Sequence, residues 1–169
     1  YIDTHMHVES TMMVPENFGK QAIVWGTTTA VTDPHEIGNV MGIDGVAYML
    51  ESALSSPLRQ YVLAPSCVPA VPAVEGAGAA FHAAEVADLL ERDGVIGIAE
   101  IMDYIGVYDN DERMRTIIDE GLKRGMFLQG HSPSVSGDAL CGYLCGGPVS
   151  CHEARAPHEA IEKLRLGMH

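Results

Sequence analysis

Residues 1–7 read Tyr-Ile-Asp-Thr-His-Met-His, a strand-like run that ends in two histidines spaced two residues apart. Side chains at positions i and i+2 of a β-strand point to the same face. His5 and His7 are therefore predicted to project side by side from one strand end, close enough to share a cation. Imidazole binds many divalent transition metals, so this stretch is a candidate metal site, although such a pair is weak support when it stands alone.

Strand-like and helix-like segments alternate along the whole chain. The predicted strands occupy residues 1–7, 27–32, 60–64, 95–99, 126–129 and 149–151, and the predicted helices 15–25, 42–54, 84–92, 111–124, 136–145 and 157–166. Alternation at roughly 28 residues per strand–helix unit is typical of a parallel sheet with crossover helices. Residues 33–36 (DPHE) are predicted to form a polar loop, Leu122 to face inward from its helix, and Ser136 to cap the helix that follows it.

Two parallel folds fit this alternation: an open doubly wound sheet and a (β/α)8 barrel. The segment after the first strand lacks the glycine-rich fingerprint of dinucleotide-binding sheets. Polar residues instead follow several strands at their carboxyl ends, and in a barrel those ends converge on one face, where the active site lies. We therefore predict an α/β fold, an incomplete TIM (β/α)8 barrel of about six βα units, with residues 1–169 forming one partial catalytic domain.

The composition excludes several classes of partner. Acidic residues outnumber basic ones by 23 to 10, which gives a formal net charge of −13. A surface with this much negative charge repels phosphate backbones and anionic lipids. Neither nucleic acid nor a membrane is therefore expected as a partner. The chain has no apolar stretch of about 20 residues and no signal peptide at its start, which predicts a cytoplasmic protein. The four cysteines are interpreted as reduced thiols.

Five potential metal ligands follow predicted strands that are remote from one another in the sequence. They are His5, His7, Glu100, His131 and His152. Four imidazoles and one carboxylate exceed what a single tetrahedral metal needs, but they suffice for two metals if the carboxylate bridges them. Two divalent cations that share a water lower its pKa toward neutrality, so this ligand set predicts hydrolysis at an electrophilic carbon.

Eight stretches carry a resemblance to known proteins. They are YIDTHMHVESTM (1–12), GTTT (26–29), DPHEIGNV (33–40), PSCVPA (65–70), GIAEIM (97–102), GHSP (130–133), CHE (151–153) and LRLGM (164–168). In these the chain resembles the amidohydrolase superfamily of metal-dependent hydrolases and, within it, the adenine deaminase family. The HxH pair is typical of the whole superfamily, whereas DPHEIxNV and PSCVPA together are typical of the deaminases.

The resemblance implies hydrolytic deamination of adenine to hypoxanthine and ammonia. In the family's pattern, His5 and His7 would hold one cation and His131 and His152 a second. Glu100 would bridge the two cations and act in catalysis. The resemblance implies two divalent cations, Mn²⁺ or Fe²⁺ first, with Zn²⁺ compatible with the same donors.

Further expectations concern the substrate and the assembly. Glu9, His35 and Glu36 follow the first two predicted strands, so they are expected to lie near the purine. The small-molecule substrate would be adenine. By the same resemblance, the full-length enzyme is expected to be a homo-oligomer.

The chain departs from the family's pattern in three respects. The family's further metal-ligating aspartate, which is also its usual proton shuttle, comes from an eighth strand and would lie beyond residue 169. The small β-domain that flanks the barrel in the family is likewise expected to lie outside residues 1–169. Cys151 stands where the family has aspartate, which would alter the surroundings of His152. The isolated chain is therefore expected to be a fragment that is inactive or severely impaired.

Two alternative functions remain open from the sequence. One is cyclic amide hydrolysis by another member of the superfamily. Those enzymes commonly bridge their metals with a carboxylated lysine, whereas this chain has no lysine between Lys20 and Lys123. The other is a non-catalytic domain that binds metal or purine without turning it over.

Overall fold

A parallel β-sheet of five strands organises the chain, and the strands follow one another in the sheet in sequence order. The computed structural model describes residues 1–72 and 74–169. The strands are β1 (Ile2–Met6), β2 (Thr29–Thr32), β3 (Arg59–Ala64), β4 (Val95–Ile101) and β5 (Phe127–Gly130). Each neighbouring pair runs parallel, with Ile2 opposite Thr29 at one edge and Ile101 opposite Gly130 at the other.

Helices connect the strands, as parallel pairing requires. They are α1 (Pro15–Val24), α2 (His35–Met41), α3 (Ile43–Leu54), α4 (Ala83–Leu90), α5 (Tyr104–Tyr108), α6 (Glu112–Lys123), α7 (Gly137–Cys145) and α8 (Pro157–Arg165), with a 3₁₀ turn at Val8–Thr11. Local chemistry sets several of their starts. Pro15 and Pro157 occupy first-turn positions, where the missing N–H costs nothing. The Asp111 carboxylate accepts from the backbone N–H groups of Arg113 and Met114 and so caps α6.

The sheet is strongly curled. In a flat sheet the first and fifth of five strands would lie roughly 19 Å apart, at about 4.8 Å per step. Here the side-chain amide of Gln129, on β5, donates to the backbone oxygen of Thr4, on β1, at 3.1 Å. The two edge strands therefore approach each other across a concave interior. This is an α/β fold with the curvature of an incomplete TIM barrel, so the predicted fold class is confirmed.

The hydrophobic core lies between the convex face of the sheet and the helices. β4 reads Val-Ile-Gly-Ile-Ala-Glu-Ile, and all but one of its residues are buried, as expected for a strand covered on both faces. Ile98 and Leu128 on the sheet pack in one cluster with Leu89 of α4 and Ile117 of α6. This rigid layer fixes the carboxyl ends of the strands relative to one another.

Four details differ from the sequence-based expectations. The predicted sixth strand at 149–151 does not form, although Val149 N–H donates to Leu128 O at 3.1 Å and so keeps the segment beside β5. The predicted loop 33–36 contains the start of α2, which begins at His35. Leu122, in the last turn of α6, is 53% exposed and does not face inward. Ser136 occupies the N-cap position of α7, but its side chain accepts no capping hydrogen bond.

Among the described residues, no helix combines the length and the apolar character that a bilayer-crossing segment requires.

Candidate metal centre

The carboxyl ends of the strands bring the predicted ligands to one place. His5 lies on β1, and Glu100 lies near the end of β4. His131 follows the last residue of β5, and His152 lies in the segment between α7 and α8. Because parallel strands end on the same side of the sheet, residues far apart in sequence meet there.

Glu100 is the centre of this cluster, and its two carboxylate oxygens face different histidines. Oε1 lies 3.2 Å from Nε2 of His7 and 4.0 Å from Nε2 of His5. Oε2 lies 2.7 Å from Nδ1 of His131 and 3.2 Å from Nε2 of His152. Glu100 itself is only 2% exposed. The structure thus brings together all five residues that the sequence analysis named as ligands.

The imidazoles also approach one another closely. Nε2 of His5 and Nε2 of His7 are 2.8 Å apart, and Nδ1 of His131 lies 3.2 Å from Nε2 of His152. The rings of His5 and His152 stack, with centroids 3.5 Å apart. Ring nitrogens that converge in this way around one carboxylate have the donor types and the proximity of a transition-metal site.

Polar contacts behind the histidines fix their orientation. Nδ1 of His5 lies 2.8 Å from Oε1 of Gln129. Nδ1 of His7 lies 3.0 Å from the backbone oxygen of Asp33. Since both partners are oxygen acceptors, each Nδ1 carries a proton and each Nε2 is turned toward Glu100. Outer contacts of this kind hold a metal-binding histidine in the required tautomer.

Asp33 and His35 join the cluster from the start of α2. Nδ1 of His35 lies 3.1 Å from Oδ2 of Asp33 and 3.5 Å from Oε1 of Glu100. Asp33 is completely buried. His35 is expected near the substrate from the sequence, whereas Asp33 had no predicted role. Asp33 could have been predicted as a site residue from its position, because an aspartate that directly follows a strand is often part of the active site in this fold.

Burial and ion pairing shift the pKa values of these groups in opposite directions. Burial opposes ionisation of Glu100, but the surrounding imidazoles of His131, His152 and His7 outweigh it and hold the pKa of the carboxyl well below its usual range. Contact with Glu100 raises the pKa of His7 to about 9. Burial, together with the nearby His152, lowers the pKa of His5. The cluster therefore keeps a charged carboxylate in a buried position.

Glu9 and Glu36 lie beside this cluster. Oε1 of Glu9 accepts from the backbone N–H of Ile37 at 3.3 Å, while its buried Oε2 has no hydrogen-bond partner among the described residues. Burial raises the pKa of Glu9, and the charges of Glu36 and Asp33 act in the same direction. Oε1 of Glu36 accepts from Ser10 at 2.9 Å. Both carboxyl groups lie in the segments that follow β1 and β2, and their expected position near the purine stays a prediction.

Comparison with known proteins assigns the chain to a family. The model of the amidohydrolase family matches residues 1–166. The chain belongs to the amidohydrolase family. It is similar to adenine deaminases of Methanothermobacter thermautotrophicus (44% identity), Rhizobium etli (adenine deaminase 2, 44%) and Klebsiella pneumoniae (41%), in each case over 99% of this chain. It spans only 31%, 28% and 28% of those relatives, so the alignment covers less than a third of their length.

The donor set of this amidohydrolase fits divalent cations. Two groups of potential ligands share Glu100: His7, Asp33, His35 and Glu100 form one, and His5, Glu100 and His152 the other. Oε2 of Glu100 is buried without an aligned hydrogen-bond donor in the described part of the chain, as expected for an atom that serves a cation. The grouping differs from the expected one, in which His5 pairs with His7 on one cation.

Cys151 of the amidohydrolase chain directly precedes His152. Its sulfur accepts from Nζ of Lys163 at 3.2 Å and from the backbone N–H of Ser132 at 3.3 Å. Lys163 is buried and also forms an ion pair of 2.8 Å with Glu159. The residue that departs from the family's pattern thus occupies a polar position that connects α8 to the segment carrying His152.

Proposed function

We propose that this chain supplies the metal-binding part of an adenine deaminase. The observation that supports this most directly is the buried carboxylate of Glu100, which has imidazole nitrogens within about 3 Å on both of its oxygens. The printed names of the relatives support the choice of adenine as substrate.

In this proposal, His5, His7, His131 and His152 would hold two divalent cations, Mn²⁺ or Fe²⁺, with Glu100 as their shared ligand. Cations in this position would lower the pKa of a water and so supply a nucleophile near neutral pH. Gln129 and the backbone of Asp33 keep Nε2 of His5 and His7 directed at the site.

Glu9, His35 and Glu36 bind the purine in this proposal. In this proposal the carboxyl group of Glu9 donates a hydrogen bond to a ring nitrogen of adenine. Burial raises the pKa of Glu9, which favours the protonated form that such a bond requires. The absence of a partner for Oε2 of Glu9 among the described residues supports that role. Adenine presents unprotonated ring nitrogens, whereas hydantoin and dihydroorotate present N–H and C=O groups at the corresponding edge.

The first test measures cation binding by the 169-residue chain. After dialysis against Mn²⁺, the wild-type chain should retain two equivalents, and Glu100→Gln should retain fewer because the bridging charge is lost. Glu51→Gln is the matched control, since Glu51 is an exposed residue of α3. A wild-type chain that retains no divalent cation, or a Glu100→Gln chain that retains two, would contradict the metal site.

The second test identifies the substrate. In a chimera, this chain replaces the matching segment of the Methanothermobacter thermautotrophicus adenine deaminase. The relative then supplies the regions that the chain does not cover. The Mn²⁺-loaded chimera should release ammonia from adenine and leave adenosine, hydantoin and dihydroorotate unchanged. The same chimera with His7→Ala should be inactive.

Other outcomes of the second test would overturn the assignment. Turnover of hydantoin or dihydroorotate would instead identify a cyclic amide hydrolase. Cation binding without turnover of any of the four compounds, alongside full activity of the unaltered relative, would identify a non-catalytic domain.

A further inference from the structure

Tyr143 lies on α7 and is completely buried, with its hydroxyl group between the ends of two strands. The hydroxyl oxygen accepts from the backbone N–H of His131 at 2.8 Å. The hydroxyl proton is donated to the backbone oxygen of Ile101 at 2.6 Å. The side chain of Tyr143 thus connects Ile101, which follows Glu100 on β4, to His131, which follows β5.

These two bonds occur where the ladder between β4 and β5 stops. Ile101 pairs with Gly130 at the last position of that ladder, and its register shifts between Ile98 and Ile101. His131 lies one residue beyond this ladder, and its N–H donates to no backbone oxygen within residues 1–72 and 74–169. Buried backbone groups without partners are costly. The hydroxyl of Tyr143 satisfies this N–H, donates to the C=O of Ile101 and holds the two strand ends at a fixed separation.

The backbone of Gly130 packs closely against the Tyr143 hydroxyl group. A Cβ atom added at Gly130 would lie 2.9 Å from the Tyr143 hydroxyl oxygen and also collide with the backbone oxygen of Ser150. The hydroxyl group therefore lies in a closely packed position between the two strand ends.

We propose that Tyr143 is a positioning residue of the metal centre, which sets the distance between the Glu100 carboxylate and the His131 imidazole by tying their strand ends together. Oε2 of Glu100 and Nδ1 of His131 are 2.7 Å apart. A bound cation needs both groups placed within a few tenths of an ångström. This inference rests on the metal site of the proposed function and extends it to a residue that touches no cation.

Tyr143→Phe in the 169-residue chain tests the inference, because it removes only the hydroxyl group. Co²⁺ is the probe, since its visible absorption reports on ligand geometry and its binding can be titrated. Compared with the wild type, Tyr143→Phe should bind the cation near His131 about tenfold or more weakly and show a changed Co²⁺ spectrum. The spectral change is the readout that a loss of stability alone would not produce.

Leu140→Ala is the matched control. Leu140 is also completely buried on α7, so its truncation weakens the packing of the same helix. Leu140→Ala should lower the melting temperature without changing Co²⁺ affinity or the spectrum. If Tyr143→Phe binds Co²⁺ as the wild type does, or if Leu140→Ala loses as much affinity as Tyr143→Phe, the positioning role is wrong.

A second measurement does not depend on the folding of any variant. In the wild-type chain, the amide proton of His131 should exchange slowly with solvent, because it is held by Tyr143. Exchange at the rate of an exposed loop amide would overturn the inference. A wild-type chain that binds no Co²⁺ would overturn both the proposed function and this inference, whereas normal Co²⁺ binding by both wild type and Tyr143→Phe would overturn only this one.

Discussion

Gln129 holds His5 across the full width of the sheet: its Oε1 lies 2.8 Å from Nδ1 of the histidine. The same amide donates to the backbone of Thr4 at 3.1 Å, so both of its polar atoms serve β1. Gln129 is nearly completely buried. A buried amide whose donor and acceptor both bond to the strand at the opposite edge of the sheet fixes the position of that strand.

Gln129→Ala should therefore weaken cation binding, because His5 loses the acceptor that orients its ring. Removal of such an outer contact typically costs about tenfold to a hundredfold in metal affinity. Equilibrium dialysis of the 169-residue chain against Mn²⁺ measures the effect. Gln21→Ala, at an exposed position of α1, is the control and should bind as the wild type does. Equal affinity in both variants would show that Gln129 does not orient His5.

Gly97→Ala should disrupt the pairing of β4 with β5. A Cβ atom at this position would come within 2.3 Å of the backbone oxygen of Phe127, which cannot move without separating the strands. We expect a loss of about 2 kcal/mol or more in the free energy of unfolding. Urea denaturation measures it. Gly76→Ala, where an added Cβ meets nothing within 4 Å, should be close to neutral.

Arg113→Met should destabilise the segment between β3 and α4. The guanidinium donates to the backbone oxygens of Ser66, Val68, Pro69 and Phe81 at 3.1 to 3.3 Å. Without it, several partly buried carbonyl groups lose their donor, at a cost of about 2–3 kcal/mol. The control is Arg115→Met, an exposed position on the same helix. If both variants unfold at the same urea concentration, these hydrogen bonds contribute no stability.

The ion pair between Glu159 and Lys163 should make stability depend on pH in the acidic range. The hydrogen bond from Lys163 lowers the pKa of Glu159 to about 2, against about 4.3 in an unfolded chain. The depressed value means that the stabilisation is fully present above the unfolded pKa and is lost as the pH falls toward the folded one. The effect therefore occurs between about pH 5 and pH 2.

Glu159→Gln, which resembles the protonated acid, tests this pH dependence. Its melting temperature should lie below that of the wild type at neutral pH, and the gap should close as the pH falls. The control is Glu16→Gln, because Glu16 forms the same i, i+4 pair with Lys20 in an exposed position. Exposed pairs contribute little, so no comparable gap is expected there. A gap for Glu159→Gln that is independent of pH would contradict the ion-pair explanation.

The sequence was sufficient to predict the ligand cluster, since one rule locates it. Side chains that follow the carboxyl ends of parallel strands meet on one face, and this rule alone brings His5, Glu100 and His131 together. The alternation of strands and helices likewise predicted the fold class. These inferences succeed because they depend on periodicity and topology and do not require the packing of individual side chains.

The sequence did not reveal the residues that orient the ligands. Gln129 is a polar residue in an apolar strand, and Tyr143 resembles any aromatic residue on a helix that packs against the core. Their roles depend on contacts with Thr4 and Ile101, which lie 125 and 42 residues away in the chain. The prediction of a sixth strand was wrong for a related reason. The pattern of residues 149–151 favours a strand, but the segment is joined to β5 by the bond from Val149 N–H to Leu128 O, and its bonds on the other side go to His169, which belongs to no strand.

The stacked rings of His5 and His152 have a consequence for how the molecule assembles. They belong to opposite ends of the chain, so the cluster completes only after every intervening strand has paired. Contacts of such long range are slow to form, so we expect this cluster to be completed late in folding. A cation that binds only the finished pocket would then act on the final equilibrium, raising the melting temperature with concentration while leaving the early steps of folding unaffected.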